Sequence, residues 1–331
     1  MSEESLPSSN IQITQMSQSR PIKRPRTKDE PEELQLSPPT HHSPEVWFED
    51  GNVIIQAATT IFRIHGGSLS IYSPIFKEKL EELRGSENVG HVDGCPVLYL
   101  DDRAEDLVHL LKALSDRRYY RESEPQNIQT ISSILRLAIK YDIEYLKADA
   151  MARLTHEFPS MLADVLTGEF GKCIPRTPGL AFDTIKLARE TNLLIVLPYA
   201  FHECGRISRS EIISGFLSPQ DQVLCLSGLI GFSTAFSVNA FGWLSETKHP
   251  SVSCSDPRNC RNGRLLVATK IANTEPGPIS FTFAVWRNYV KPPKMFCAGC
   301  FAVATEVHNS GQKHVWDLLP SFYGLPDWQT L

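Results

Sequence analysis

The chain has 331 residues, and its 41% hydrophobic content is enough to build buried cores in roughly one to three domains. Its 33 basic and 38 acidic side chains give a formal net charge of −5, which excludes an overall basic field for wrapping nucleic acid. Because we find no run of about 18 apolar residues, we expect no membrane-spanning segment.

The first ten residues, MSEESLPSSN, are acidic and polar and lack the apolar centre of a secretory signal. We therefore expect an intracellular protein, in the nucleus or the cytoplasm. In that reducing environment the eight cysteines are expected to be thiols or metal ligands rather than disulfides.

Residues 1–44 are rich in Ser, Pro, Gln and charged side chains and have almost no periodic apolar residues, which predicts a disordered tail. A short basic cluster lies within this tail. Such a cluster is typical of a nuclear-import signal and equally typical of a solvated charged segment, and both interpretations stay open. Its members are Arg20, Lys23, Arg24, Arg26 and Lys28.

Ordered structure is expected from Val46 onward. The stretch VWFEDGNVIIQ places Asp50 and Gly51 between alternating apolar residues, which predicts a β-hairpin over 46–55. The following TTIFRIH continues in β-favouring residues, and PVLYLDD predicts another short strand.

Helical spacing of apolar residues takes over after each of these strands. Ser73 followed by Pro74 is typical of a helix N-cap and first turn, so one short helix is predicted to end there and another to begin. Three more amphipathic helices are predicted before residue 158. Their apolar positions are Leu107, Leu110, Leu111 and Leu114; Ile131, Ile134, Leu135 and Ala138; and Leu146, Ala150 and Leu154.

This order of elements over 45–158 resembles the BTB/POZ domain. The resemblance implies an α+β fold, in which short strands accompany a helical bundle, followed here by a mostly α-helical C-terminal region. It makes His65 a structural residue at a strand-to-helix junction, which a lone histidine among apolar neighbours also favours. The matching residues are Phe62, His65, Leu69, Ser73 and Phe76; Leu98 and Leu100; and Leu137, Lys140 and Tyr141.

The resemblance also implies a role in protein–protein contact. Its usual form is self-association as a homodimer, for which the predicted hairpin over 46–55 could pair across the interface, and sometimes docking to a ubiquitin-ligase scaffold. The chain departs from the family pattern at Gly66-Gly67 and in the insertion RGSENVGHVDGCP. The partner-contacting loops of other BTB domains therefore cannot be transferred to this chain.

Residues 159–247 are predicted to form a helical extension, in which Ser218 and Pro219 begin a helix. The C-terminal segments 316–320 and 322–326 resemble the ends of fungal BTB-domain proteins. Their apolar side chains are predicted to anchor a terminal helix and turn onto the helical core. These are Trp316, Leu318, Leu319, Phe322 and Tyr323.

Motifs of enzyme active sites were not found. The sequence contains no G-x-S-x-G elbow, no phosphate loop and no G-x-G-x-x-G, and HECGR has Arg206 where a two-histidine zinc helix needs its second histidine. We therefore expect a protein that is not an enzyme and has no catalytic residues.

Four cysteines form the one pattern with metal chemistry. Cys254 and Cys260 lie in a polar stretch predicted to be a loop, and Cys297 and Cys300 form a C-x-x-C within a predicted cysteine-containing loop module over 248–331. Two such pairs predict a structural zinc site, with His249 or His308 as substitute ligands. Two alternatives remain: ordinary buried thiols, or a redox pair.

These observations favour a non-enzymatic interaction protein, an adaptor or self-associating module, over an enzyme. The alternative is a nuclear transcriptional regulator that contacts nucleic acid through the basic tail and the cysteine module. Against it, the cysteine segment has only Arg258, Arg261 and Arg264 as a local basic cluster, so contact with nucleic acid is not expected.

Overall fold

The structure is a computed structural model that describes residues 40–87, 89–207, 209–214, 217–245, 254–273, 283 and 295–331. Thr40–Leu331 group into one compact unit. The basic cluster and most of the predicted tail lie outside the described residues. The end of that predicted tail differs from expectation, because a strand already begins at His41.

The described residues form an α+β structure with a five-stranded sheet in the order β1-β3-β2-β5-β4. The β2–β3 and β4–β5 pairs are antiparallel, and the β1–β3 and β2–β5 pairs are parallel. The strands are β1 (His41–Trp47), β2 (Val53–Ala57), β3 (Thr60–Ile64), β4 (His91–Val92) and β5 (Cys95–Leu100).

The predicted hairpin over 46–55 is wrong, because β1 pairs with β3 and β2 lies beyond β3 in the sheet. The hairpin is instead β2–β3, which turns at Ala58, where φ is +50°. Gly51 serves close packing rather than a tight turn, since a Cβ there would lie 2.9 Å from the backbone nitrogen of Ile64. β2 is internal to the sheet and therefore cannot pair across a dimer interface.

The helices predicted before residue 158 are confirmed. Ser73 caps the second of them, since its Oγ accepts the N–H of Phe76 at 3.0 Å and donates to the carbonyl of Tyr141 at 2.5 Å. His65 follows β3 directly, as predicted, and its Nε2 lies 3.2 Å from a carboxylate oxygen of Asp50. The helices are α1 (Gly66–Tyr72), α2 (Pro74–Gly85), α3 (Ala104–Ser115), α4 (Ile128–Lys140) and α5 (Glu144–Glu157).

The described residues after 158 are mostly helical, including α11 and α12 within the segment predicted to be a loop module. Ser218 caps its helix as predicted, with its Oγ accepting the N–H of Asp221 at 3.1 Å. The helices are α6 (Leu162–Thr167), α7 (Leu180–Thr191), α8 (Leu197–Cys204), α9 (Arg209–Ile213), α10 (Pro219–Asn239), α11 (Pro257–Ala272), α12 (Ala298–Asp317) and α13 (Leu319–Phe322), with 3₁₀ turns at Leu194–Val196 and Gly242–Leu244.

Two apolar cores meet at α4. One face of α4, with Ile134 and Leu137, packs on the sheet side, whereas Ile128 and Leu135 belong to the core of the C-terminal helices. Phe158 lies in that second core as well. The expected domain limits at 158 and 247 therefore fall inside one compact unit.

The C-terminal segment is anchored in the helical core by aromatic side chains. Trp316 and Tyr323 are buried, and the indole N–H of Trp316 donates to the carbonyl of Ser160 at 3.2 Å. Leu319 is buried too, whereas Leu318 points outward and is 39% exposed. The predicted anchoring is thus confirmed except for Leu318.

Helix α10 bears on the expectation of no membrane-spanning segment through its length and composition alone. Its length and apolar composition meet that criterion, and glycines and hydroxyl side chains scattered through it obscure the apolar run in the sequence. One side of the helix is nevertheless packed inside the protein, where Cys225, Phe232 and Phe236 are completely buried. The opposite side is exposed, since only 28% of the apolar stretch is buried.

Candidate metal centre

The four predicted ligands lie at the N-terminal ends of two helices. Cys254 precedes α11 by three residues and Cys260 lies in its first turn, so the expectation that this pair sits in a loop is wrong for Cys260. Cys297 is the N-cap of α12 and Cys300 lies one turn further along the same helix. Each helix therefore contributes one cysteine before its start and one from its first turn.

The four thiols converge on one point. Their sulfur atoms all lie within 4.8 Å of one another, and the Sγ atoms of Cys254 and Cys297 are 3.9 Å apart. Cys260 and Cys300 are buried, whereas Cys254 and Cys297 are half-buried. The cluster can hold a metal ion, with one pair of ligands facing the interior and the other nearer to the surface.

Backbone amides support the sulfur atoms. The Sγ of Cys260 accepts the N–H of Cys297 at 3.2 Å, and the Sγ of Cys297 accepts the N–H of Cys300 at 3.5 Å. The second of these bonds, followed by one from Ser255, lowers the pKa of Cys297 to about 5. Burial raises the pKa of Cys260 and Cys300. A bound cation would take the place of the protons that burial favours on Cys260 and Cys300.

Gly263 brings the two helices together. A Cβ at Gly263 of α11 would lie 2.5 Å from the carbonyl oxygen of Met295 and 3.1 Å from the Phe296 ring, immediately before the C-x-x-C. The Phe296 ring in turn meets the indole of Trp243 edge-on at 5.9 Å. The absent side chain thus allows the chain before Cys297 to lie directly against α11.

Of the two substitute ligands, His308 does not join the cluster. His308 is buried in α12, where its Nδ1 donates to the carbonyl of Ala240 at 3.0 Å, and it is not one of the four groups whose ligand atoms converge. His249 lies outside the described residues.

A second group of metal-ligating side chains, which the sequence did not reveal, lies at the end of α5. It contains His156, Glu157 and Cys173. The Glu157 carboxylate is fully buried and accepts the backbone N–H groups of Gly171 at 2.8 Å, Cys173 at 2.9 Å and Ile174 at 3.3 Å. Because these amides occupy its oxygens, the carboxylate fastens the 171–174 segment and is poorly placed for a cation.

The basic cluster near the cysteines is smaller than the sequence indicates. Arg264 is buried, and its guanidinium donates to the carbonyl of Ser245 at 3.3 Å. Arg258 and Arg261 lie exposed at the start of α11. Two exposed charges give less support to nucleic-acid binding than the three expected from the sequence.

A polar cleft of about 300 Å³ lies between α3, α4 and α7. The Arg136 guanidinium lies 3.1 Å from the Asp106 carboxylate and 2.8 Å from that of Glu190, and Ser133 also donates to Asp106. Opposite charges in this cleft therefore satisfy one another and join the three helices.

The chain was compared with known proteins in three ways. Scans against protein-family models, curated proteins and solved structures each returned no match.

Proposed function

We propose that this chain is an intracellular protein-interaction module whose C-terminal helices are fastened by a structural zinc ion on Cys254, Cys260, Cys297 and Cys300. The observation that carries the zinc proposal is the convergence of the four sulfur atoms within 4.8 Å. Zinc–sulfur bonds of about 2.3 Å place the sulfurs of a tetrahedral site roughly 3.8 Å apart, close to the 3.9 Å between Cys254 and Cys297.

The same geometry supports a structural rather than a catalytic role for the metal. Four protein sulfurs fill a tetrahedral zinc site and leave no position for water or substrate. Zinc on these ligands would tie the start of α11 to the start of α12, two helices that are otherwise separated by a long stretch of chain. Its contribution would be to the stability of the fold.

Elemental analysis of the purified full chain tests this proposal. We expect about one zinc per chain, and close to none in the double variant Cys297→Ser, Cys300→Ser, because two sulfur ligands are lost. Cys95→Ser is the matched control, since Cys95 lies in β5 and belongs to neither group of metal-ligating side chains. A wild-type protein without zinc after purification in zinc-containing medium would refute the proposal, as would equal zinc content in the double variant.

The interaction role is supported by the order of elements and by an exposed apolar patch. Apart from the two edge strands β1 and β4, the succession β2-β3-α1-α2-β5-α3-α4-α5 follows the order expected of a BTB domain. At the end of α1, Ile71 is 76% exposed and the Tyr72 ring lies 5.2 Å from that of Tyr145 on α5. Exposed aromatic and aliphatic side chains grouped in this way are typical of protein-binding surfaces, and here we propose a homodimer.

Light scattering of the full chain at tens of micromolar tests the homodimer. We expect the mass of at least two chains for the wild type and a lower mass for Ile71→Glu, because a carboxylate would be buried in the apolar contact. Lys77→Glu, a change at another exposed position in the neighbouring helix, is the control. A monomeric wild type, or an Ile71→Glu variant with unchanged mass, would contradict this assignment.

A further inference from the structure

The four cysteines of the candidate metal centre differ in how far solvent reaches them. Cys260 and Cys300 are 1% and 0% exposed, whereas Cys254 and Cys297 are half-buried. The two half-buried residues are also close neighbours, since their Sγ atoms are 3.9 Å apart. We call Cys254 and Cys297 the outer pair. A small oxidant dissolved in water would meet this pair before the two buried sulfurs.

The outer pair lies at places in the chain where its sulfurs are able to approach each other. Cys254 precedes Asp256, the N-cap of α11, and Cys297 is itself the N-cap of α12. A disulfide needs sulfur atoms about 2 Å apart, so the two atoms must come closer by roughly 2 Å. Because both residues come before the first helical turn, this approach requires no unwinding of either helix.

We propose that the outer pair is an oxidation site, at which a hydroperoxide converts Cys254 and Cys297 to a disulfide and thereby releases the metal ion. Hydrogen peroxide is the simplest oxidant of this class. The release of zinc rests on the metal site proposed above, while the disulfide depends only on the geometry of the outer pair. The bond would join the start of α11 to the start of α12, unlike a redox C-x-x-C, which joins two residues of one helix.

The oxidation proceeds in two displacements. The thiolate sulfur of one outer cysteine attacks a peroxide oxygen, the O–O bond breaks, hydroxide leaves, and the sulfur becomes a sulfenic acid. The sulfur of the other outer cysteine then attacks this sulfenic sulfur, the S–O bond breaks and a second hydroxide leaves. The two sulfurs together lose two electrons, which the peroxide oxygens gain. Two protons from solvent convert both hydroxides to water.

The disulfide removes two of the four metal ligands. Zinc binds the thiolate form of cysteine, and a disulfide sulfur carries no negative charge. Only Cys260 and Cys300 would remain as ligands, half of the set that a structural zinc site needs. The positions that open are those of the half-buried outer pair, so the ion would leave directly toward solvent.

The disulfide would also replace the connection that zinc provides. Cys254 and Cys297 are 43 positions apart in the chain, and a covalent bond between them closes this loop as the metal does. A bond between Cys297 and Cys300 would leave α11 untied. We therefore expect the oxidised protein to stay folded, and to bind zinc again once a thiol has reduced the disulfide.

Mild oxidation of the full, zinc-loaded chain tests this assignment. With about three equivalents of hydrogen peroxide, we expect a chromogenic chelator to record the loss of about one zinc per chain. Trypsin cleaves between Cys254 and Cys260 at Arg258, so peptide 249–258 should be recovered linked to peptide 295–313. Fragmentation of the linked peptides should place the bond on Cys297 and leave Cys300 as a free thiol. Dithiothreitol should reverse the link.

Two variants separate the outer pair from other accessible thiols. In Cys254→Ser the sulfenic acid on Cys297 loses its partner, so we expect dimedone to label Cys297 several-fold more than in the wild type. Cys173→Ser is the matched control, because Cys173 is the third half-buried cysteine and lies outside the four-cysteine cluster. It should form the link between the two peptides to the same extent as the wild type.

The zinc site and the oxidation site can fail separately in these experiments. Zinc analysis of the reduced protein decides the first, and the peptide map decides the second. A bond mainly between Cys297 and Cys300, oxidation to sulfinic acid, or an outer pair that stays reduced would overturn the assignment. Equal dimedone labelling in Cys254→Ser and the wild type would overturn the pairing, and a linked protein that keeps its zinc would overturn the release.

Discussion

Single glycines decide how closely the C-terminal helices approach one another. At Gly228 in α10, a Cβ would lie 2.3 Å from Cδ1 of Tyr323 and 2.8 Å from the carbonyl oxygen of Phe322. The Tyr323 ring, which is fully buried and stacked on Phe201 at 5.1 Å, takes the space that this side chain would need. The position of the C-terminal segment therefore depends on one missing methyl group.

We expect Gly228→Ala to lower the free energy of unfolding by roughly 1 to 3 kcal/mol, because the new methyl group forces Tyr323 and the backbone apart. Gly231→Ala is the matched control in the same helix. Its Cβ would meet only the Phe322 ring at 3.3 Å, and alanine favours helix over glycine, so we expect a change of about 1 kcal/mol or less. Urea denaturation of both variants measures the difference, and equal effects would argue against this packing.

At the scale of elements, the buried Glu157 connects the end of α5 to the segment before α7. Its carboxylate accepts three backbone N–H groups, and the guanidinium of Arg176 lies 3.8 Å away. A carboxylate is suited to this place because it only accepts hydrogen bonds.

We expect Glu157→Gln to lower the free energy of unfolding by about 1 to 3 kcal/mol, since the amide NH₂ would face backbone donors in a buried position. Glu190→Gln is the control, because its carboxylate pairs with Arg136 at the surface and should contribute no more than about 1 kcal/mol. Chemical denaturation of the two variants provides the comparison. A neutral effect of Glu157→Gln would show that the 171–174 segment is held in another way.

Sequence patterns predicted those elements whose causes are local. Ser73 and Ser218 cap their helices as expected, because the N-cap and the following proline act within one turn. The prediction of a hairpin at Asp50-Gly51 was wrong for the opposite reason. A glycine is needed at position 51 because the chain there lies against Ile64 of β3, the strand between β1 and β2 in the sheet. The role of Gly51 depends on a tertiary approach that no local pattern contains.

In the candidate metal centre, too, features with local causes could be predicted and features that depend on tertiary contacts could not. The spacing of Cys297 and Cys300 predicted a shared site, and the structure brings all four predicted sulfurs together. The helical setting of Cys260 was missed, although Asp256 followed by Pro257 is a helix-start signal that could have revealed it. The role of Gly263 could not be predicted, because it depends on the approach of the chain before Cys297 to α11.

For the whole molecule, buried histidines make the helical core sensitive to acid. Burial lowers the pKa of both His202 and His308 to about 4. The folded protein thus prefers neutral histidine, and the unfolded chain takes up protons near pH 6.5. The stability contributed by this difference is complete above about pH 6.5 and is lost as the pH falls toward 4.

We expect each of these two histidines to contribute on the order of 3 kcal/mol to the loss of stability between pH 6.5 and 4. His308→Asn should reduce the dependence of the unfolding free energy on pH over this range, even if it destabilises the protein at every pH. His314→Asn, at an exposed position of the same helix, is the control. Any metal-ligand contribution is common to all three proteins and cancels in the comparison. Parallel pH profiles for His308→Asn and the wild type would contradict the assignment.

Helix α4 contributes side chains to both apolar cores, so a disturbance of either core reaches this helix. A fragment that ended at residue 158 would expose Ile128, Ile131 and Leu135 to water, so the sheet-side half would aggregate when produced alone. In the intact chain, local unfolding of either core exposes one side of α4 to water. Amide hydrogen exchange in α4 should therefore report events in both cores, and binding of a partner at Ile71 would slow exchange in helices that the partner never touches.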